Sequence, residues 1–330
     1  MNTWGNRLRL TIFGSSHGPE VGLHVDGLPP GIAVDIGSIR ALLARRAPGG
    51  PLDSPRCEPD LPRLPCGVGA DGLSDGSRLT IVIDNRDVDG SAYGQGLCRP
   101  GHADYPAYVK YGSAWDYAGG GQFSGRMTAP LTAFGAIAKD WLAQRGIAVE
   151  ARLSAVAGIT EPERWPELLA QARQDGDSLG GLAECTVRGL PVGVGEPFFA
   201  SCEAVLSSLL FSVPGVKGVE FGDGFALAGA RGSQAADAYG VEAVLGERRV
   251  RLLSNHNGGL LGGLSNGAEL VLRAAFKPTP SLNGGKKLLD LTTMTLVQPQ
   301  RPGRHDPCIA RRGAVVVEAV TAISLMELMI

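Results

Sequence analysis

A strong net charge is missing from this chain. Its 31 lysines and arginines stand against 33 aspartates and glutamates, a balance of −2, so no global basic field argues for nucleic acid or a membrane surface. An anionic ligand has to be met by a local cluster of Arg and Lys. Paired C-x-x-C motifs are missing too. Cys57, Cys66, Cys98, Cys185, Cys202 and Cys308 match no zinc spacing and read as thiols of a reducing compartment rather than as disulfides. The N-terminus shows no basic stretch followed by an apolar run of the signal-peptide kind. The most apolar tail, Ala314 to Ile330, is short and broken by Glu318 and Glu327, which argues against a membrane span. A cytoplasmic protein is the expectation. No G-x-x-x-x-G-K-[ST] phosphate loop occurs, and no polar, flexible linker divides the chain, so one domain over residues 1–330 is expected.

Glycine is what the chain has in excess: 48 of 330 residues, roughly twice the ordinary share of about 7%. The glycines are scattered among apolar segments, which suits tight turns and loops pressed close to a ligand. Period-two alternation predicts strands over Arg7–Phe13 and Val21–Leu28, with shorter ones at Leu79–Asp84, Glu184–Arg188, Val216–Phe221, Arg249–Leu253 and Glu269–Phe276. Helical spacing predicts helices over Ile36–Ala47, Thr128–Arg145, Ser201–Phe211 and Arg312–Met329. Another helix carries Trp165, Leu168, Leu169 and Ala172 behind a capping box at Thr160–Glu163. Residues 50–78 read as an ordered surface loop. Strands and helices mix without a β-α-β beat, so the fold class is α+β rather than a doubly wound sheet.

Two loops repeat one chemical recipe. Arg99-Pro100-Gly101-His102-Ala103-Asp104 and Arg304-His305-Asp306-Pro307 each set a fixed cation, an imidazole and a carboxylate within a few residues. Such a set supplies an anion clamp, a proton carrier near neutral pH, and a base or orienting group. Gly14-Ser15-Ser16-His17-Gly18 matches the G-x-S-x-G of a nucleophile elbow. An elbow joins a strand to a helix, however, and here the next segment is a strand, which refutes a serine hydrolase. Gly67-Val68-Gly69-Ala70-Asp71-Gly72 matches G-x-G-x-x-G but precedes a strand, so it is a turn and no dinucleotide site. The glycine-rich run Gly119–Arg126 opens into a helix, where backbone N–H groups and Arg126 suit either an anion or a plain turn with a solvated arginine. Arg45 and Arg46 close a helix, where cations are favourable without any ligand. His24 reads as a strand residue, and His256 as a loop hydrogen-bonder or a site. Physics alone reaches a binder of a phosphorylated, anionic small molecule with histidines and an aspartate for proton transfer.

The ordered set of motifs resembles the chorismate synthase family. It comprises Ser16-His17-Gly18, Arg45-Arg46-Ala47-Pro48-Gly49, Arg99–Tyr105, Lys110-Tyr111-Gly112, Gly119-Gly120-Gly121, Gly176-Asp177-Ser178, Gly195-Glu196-Pro197, Val216–Glu220, Arg231-Gly232-Ser233, Lys277–Pro280 and Gly303–Cys308. The resemblance spans about Trp4 to Leu328. It implies a β-α-β sandwich with central helices between two antiparallel sheets, assembled as a homotetramer. The implied reaction eliminates phosphate from 5-enolpyruvylshikimate 3-phosphate to give chorismate, with reduced FMN as cofactor and no metal. Residue by residue, it implies that His17 helps protonate the departing phosphate and that His102 protonates or stabilises the reduced flavin. Asp306 acts with the flavin to take the C6 hydrogen. Ser16, Arg46 and Arg99 bind substrate. FMN contacts fall to Gln122, Phe123, Ser124, Pro214, Gly215, Gly262, Lys277, Pro278, Thr279, Pro280, Ser281 and Arg304. The chain departs from the common pattern in having Gln122-Phe123 where R-S is usual. It also lacks a second arginine a few residues after Arg45-Arg46, where Pro51-Leu52-Asp53 stands. A flavin- or phosphate-binding relative without the catalysis is the alternative these departures leave open. No nicotinamide site is visible, so the reductant is expected from outside.

Overall fold

The computed structural model describes residues 2–50, 53, 56, 58–88, 93–244, 247–282, 286–298 and 306–330. In chain order the first half holds β1 (Thr3–Trp4), β2 (Arg9–Gly14), β3 (Glu20–Asp26), α1 (Ile36–Arg46), β4 (Pro62–Cys66), β5 (Leu79–Asp84), β6 (Leu97–Cys98), α2 (Asp104–Tyr111), α3 (Thr128–Ala143) and β7 (Ala148–Val156). There follow α4 (Trp165–Gln174), β8 (Gly181–Arg188), α5 (Cys202–Leu210), β9 (Val216–Phe221), α6 (Gly232–Ala235), β10 (Tyr239–Val244) and β11 (Glu247–Leu252). The chain closes with β12 (Leu260–Leu261), β13 (Leu264–Ser265), β14 (Leu270–Phe276), β15 (Leu288–Asp290), β16 (Thr295–Val297) and α7 (Ala310–Met329).

Two antiparallel sheets enclose the helices. One runs β1-β2-β3-β5-β4 and the other β7-β8-β14-β9. Helix α3 packs on β3 and β5, α7 packs on β7, β8 and β14, and the two helices pack on each other. This is the α+β sandwich expected. Because α7 lies between a helix and a sheet, it is buried on every side from Gly313 to Glu327, which explains why its sequence is apolar all round. No helix among the described residues is long and apolar enough to cross a membrane. The α3–α7 crossing is close enough that a Cβ on Gly135 would overlap Ala319.

The charges on the two faces of the second sheet are arranged differently. Its outer face carries one aligned row across four strands, Arg152, Glu184, Arg273 and Glu220. Their ion pairs measure 2.7 Å (Arg152–Glu184), 2.9 Å (Arg273–Glu184) and 3.2 Å (Arg273–Glu220). Its inner face meets Glu318, a carboxylate buried in mid-α7 that accepts from both Nη atoms of Arg45 (2.7 and 2.9 Å), from Lys139 Nζ and from the Ala151 amide (2.9 Å).

Several expectations need correction. The segment 50–78 is not only loop: β4 pairs with β5 through an irregular register. Its Pro62 and Pro65 hid the strand, and an edge position is where proline is tolerated. Strand β7 was not foreseen, although Val149, Ala151, Leu153 and Ala155 alternate there with Glu150, Arg152 and Ser154, the pattern of a half-buried strand. The capping box at Thr160 does not form. Thr160 bonds instead to Glu161, and α4 starts at Trp165 after a 3-10 turn over Pro162–Arg164. The described cysteines Cys66, Cys98, Cys185, Cys202 and Cys308 are free thiols, while Cys57 lies outside the described residues.

Candidate active site

Beyond the strand ends of the first sheet lies a cavity of about 630 Å³, within the size range of small-molecule sites. His17, His102 and Asp306 all line it, as do Ser16, Arg46, Arg99, Gln122, Phe123, Ser124, Pro214, Gly215, Lys277, Thr279, Pro280 and Ser281.

The histidine of the first loop is placed by the β2–β3 turn. The Ser16 amide donates to Gly121 O (3.1 Å), and Arg56 donates from Nη1 to Ser16 Oγ and from Nη2 to Ser16 O, both at 2.9 Å. Ser16 is buried with its hydroxyl engaged by a guanidinium, and the turn joins two strands. Both facts dispose of the nucleophile elbow. The His17 ring meets Tyr93 edge-on at 5.3 Å and lies against Gly119, whose φ of +58° and missing Cβ are both required there, since a methyl group would overlap the imidazole.

One floor of the cavity is a buried ion cluster. Arg46 donates through Nε to Thr128 Oγ1 (3.0 Å), through Nη2 to Gly125 O (3.0 Å) and through Nη1 to Asp60 Oδ2 (3.3 Å). Arg126 pairs with the other Asp60 oxygen and donates from Nε to Asn85 Oδ1 (2.9 Å). Burial, and then the neighbouring Arg312, push the Arg46 guanidinium down to about 9, so it stays charged at neutral pH. Asp60 itself has a positive φ of 44°, an uncommon but tolerated setting for Asp. The plain-turn account of Arg126 and the helix-end account of Arg46 both fail, because both side chains are buried and paired.

The opposite wall laces two loops together. Asp104 clamps Arg99 through Nε (2.7 Å), Nη2 (2.9 Å) and the backbone amide (2.9 Å), so this carboxylate orients a cation. Lys277 Nζ donates to Gly101 O at 2.7 Å. The His102 ring nitrogen Nδ1 lies 3.2 Å from Pro100 O and Nε2 lies 2.8 Å from Ser281 Oγ. A carbonyl beside Nδ1 selects the tautomer with the proton there, leaving Nε2 to accept from the serine. Burial, with Arg99 second, pushes this histidine down to about 4, so the ring is neutral at pH 7. The small cluster of Cys98, Ala107 and Trp115, with Leu289 of β15 against it, holds this wall apart from the main core. Asp306 accepts from Arg312 Nη1 at 3.0 Å, and Arg312 Nε donates to Arg46 O at 2.8 Å.

Two expected contacts among the described residues are not brought together here. Pro278 does not line the cavity although both its neighbours do. Gly262 sits in the β12–β13 turn beside the N-terminus of α5, where Gly263 O accepts from the Cys202 amide, whereas the cavity takes residues after the C-terminus of α5. The nine residues of that helix separate the two by about 13 Å. Arg304, with His305, lies outside the described residues. His24 bonds Thr80 and stacks on Phe13 in the sheet, and His256 pairs with Asp223 away from the cavity.

Arg56, Glu58, Asp60 and Arg312 line the cavity and were not anticipated. A signal existed for both groups. Residues 56, 58 and 60 set a charged side chain at every second position of a proline-rich stretch, and Arg311-Arg312 opens a helix, where cations oppose the macrodipole and so need partners elsewhere.

The family model described as chorismate synthase matches residues 8–330. A chorismate synthase of Chitinophaga pinensis is 42% identical, with 100% of this chain and 97% of that protein covered. One from Aeropyrum pernix is 42% identical over 99% of this chain and 92% of that protein, and one from Thermococcus gammatolerans is 40% identical over 98% and 96%. A solved structure titled as a chorismate synthase superposes with a TM-score of 0.75 at 23% identity, covering 99% of this chain and 92% of that one. It shows the same fold.

Proposed function

The chain belongs to the chorismate synthase family and is a lyase of the shikimate pathway, on the way to the aromatic amino acids, and from that premise we propose that the cavity described above is its active site. The observation that carries this reading is a charge imbalance. Seven basic side chains (Arg46, Arg56, Arg99, Arg126, Arg312, Lys217 and Lys277) line the cavity against four acidic ones (Glu58, Asp60, Asp104 and Asp306). The whole chain is net negative. A local positive surplus in a nearly neutral protein suits a substrate bearing a phosphate and two carboxylates, as 5-enolpyruvylshikimate 3-phosphate does.

Reduced FMN is proposed as the cofactor, and the residues present fit it. Thr279 Oγ1 is buried with no hydrogen-bond partner among the described residues, an orphan polar atom awaiting a ligand. Val213, Phe276, Ile309 and Val316 add an apolar surface to the same cavity. Gln122, Phe123, Ser124, Pro214, Gly215, Lys277, Thr279, Pro280 and Ser281 would hold the flavin, with Pro278 adjoining them in the chain and Arg304, outside the described residues, kept in the same proposed set. When bound, the flavin supplies transient electron density for the elimination and recovers it, so no net reductant is consumed.

The chain's own residues do the rest. Arg46 and Arg126 hold the phosphate, with Asp60 fixing their mutual spacing. His17 carries the proton that the departing phosphate takes up. Asp306, oriented by Arg312, receives the proton leaving C6. His102, neutral and held between Pro100 and Ser281, keeps its proton on Nδ1 and can accept another on Nε2. One proton is received and one is delivered, so the elimination balances.

The wider setting is part of the same proposal: one domain working as a homotetramer in the cytoplasm, on a small-molecule substrate, with no nucleic-acid or membrane partner. The exposed Phe198, Phe199 and Phe225 support assembly, since side chains of that size favour an interface. Gly262 can then reach a flavin only from another subunit. The deciding test is turnover of 5-enolpyruvylshikimate 3-phosphate with chemically reduced FMN under anaerobic conditions. Chorismate and inorganic phosphate should appear together, and absence of both overturns the reading.

A further inference from the structure

Asn85, at the end of β5, has no part in the proposed chemistry, yet its side-chain amide joins the two halves of the site that do. Nδ2 donates to Ser15 O (3.0 Å) and to Gly18 O (2.8 Å), the carbonyls on either side of Ser16-His17. Oδ1 accepts from Arg126 Nε at 2.9 Å. The three partners fix which atom is nitrogen, since two carbonyls can only accept and a guanidinium can only donate. Its backbone amide donates to Pro19 O at 2.9 Å, anchoring the same turn once more. One planar group three atoms across therefore sets the separation between the imidazole-bearing turn and a guanidinium of the buried ion cluster.

We propose that Asn85 is a positioning residue for the elimination, holding the His17 imidazole at a fixed reach from the phosphate that Arg126 binds. The proposal rests on the reading of His17 as the proton carrier. No other uncharged side chain offers two donors and one acceptor in this shape at this length, and aspartate, its isostere, keeps the acceptor for Arg126 while replacing the doubly donating nitrogen by one oxygen that both carbonyls repel.

The test is a double-mutant cycle with N85D and H17A in the FMN-loaded enzyme. N85D should lower kcat by about 10²-fold, the scale of an ångström misplacement, with KM within about threefold because Arg126 keeps its acceptor. In the H17A background the same change should alter kcat by less than about twofold, since the group being positioned is gone. In the protein without ligands, the His17 imidazole resonances should move in N85D while those of His256 stay in place. Equal losses with and without His17, a loss confined to KM, or full activity of N85D each overturn the proposal. If N85D does not keep the wild-type melting profile, N85A takes its place in the same cycle with the same criterion. Wild-type turnover by H17A alone would remove the reading of His17 and this proposal together, whereas an active wild type with an additive cycle removes only this one.

Discussion

Arg45 and Arg46 are consecutive residues of α1, and each meets a buried carboxylate that also binds a second cation. Arg45 shares Glu318 with Lys139, and Arg46 shares Asp60 with Arg126. Beyond that the two clusters diverge. Glu318 sits in the middle of α7, takes a backbone amide as well, and is surrounded by supports. Three hydrogen-bonding partners hold its carboxyl below the usual range against the burial that would raise it. Asp60 lies in a cavity wall and faces open volume, with Arg312 and Asp306 close by. The first cluster also has Glu150 and Glu184 beside its two cations, so its charge is met within the chain. The second sets three guanidinium groups against Asp60 and Asp306 in the wall of the cavity that also holds His17 and His102. A helix advances by 100° per residue, so adjacent side chains leave it in different directions, and one pair of identical residues is divided between two buried clusters.

Four measurements break or sharpen that contrast, from the largest effect to the smallest. Removing the carboxylate in Glu318→Ala should cost about 3–5 kcal/mol of unfolding free energy, because two cations and an amide lose their partner. The kcat of the protein that remains folded should not change. Urea unfolding and turnover on one preparation check both, and lost turnover at retained stability would erase the distinction. Arg46→Gln should do the reverse, lowering kcat/KM by about 10²–10³-fold, roughly 3–4 kcal/mol of ligand interaction, with a smaller change in melting temperature.

The third measurement is a pH dependence. His102 is held near 4 in the folded chain, below its ordinary value of about 6.5, so the unfolded chain binds the proton more readily. Stability is therefore intact above about pH 6.5 and falls as pH drops toward 4, by about 2 kcal/mol at pH 5. His102→Ala should remove that part of the acid slope, as denaturant titrations at pH 7 and pH 5 would read. The smallest effect belongs to Arg45→Ala. The arginine side chain is 48% exposed, and Lys139 and Ala151 still hold Glu318, so about 1 kcal/mol or less is expected with unchanged turnover. A loss of activity in Arg45→Ala would show that the two clusters communicate.

The sequence was a better guide to the loops than to the sheet edges. His17, His102 and Asp306 sit among Gly and Pro, where backbone conformation forces exposure of a side chain, and all three line the cavity. Strand β3 showed itself by alternating Val21, Leu23 and Val25 with other residues. Strand β4 did not, because its edge position tolerates Pro62 and Pro65, whereas β7 alternates Val149, Ala151, Leu153 and Ala155 with Glu150, Arg152 and Ser154 and was legible. Asp60 and Glu58 were hidden for a related reason. Their stretch has no apolar periodicity, and Arg126, the partner of Asp60, becomes its neighbour only after α3 docks on β5, although Arg56 stands two residues from Glu58 in the sequence. Arg312 was counted as part of a helix when its side chain was already committed to Asp306 and Arg46.

The row of Arg152, Glu184, Arg273 and Glu220 answers a question that apolar alternation leaves open. Alternation detects a slip of one residue between strands, since that turns the sheet inside out, but a slip of two restores every face. In the native register Arg273 stands opposite Glu184, with Thr186 and Leu182 opposite the residues two places to either side. A two-residue slip would set Arg273 against a hydroxyl or a hydrocarbon and would leave Glu184 with Arg152 alone. The charges on the outside of the sheet thus act as a key to alignment, telling apart pairings that its buried side cannot.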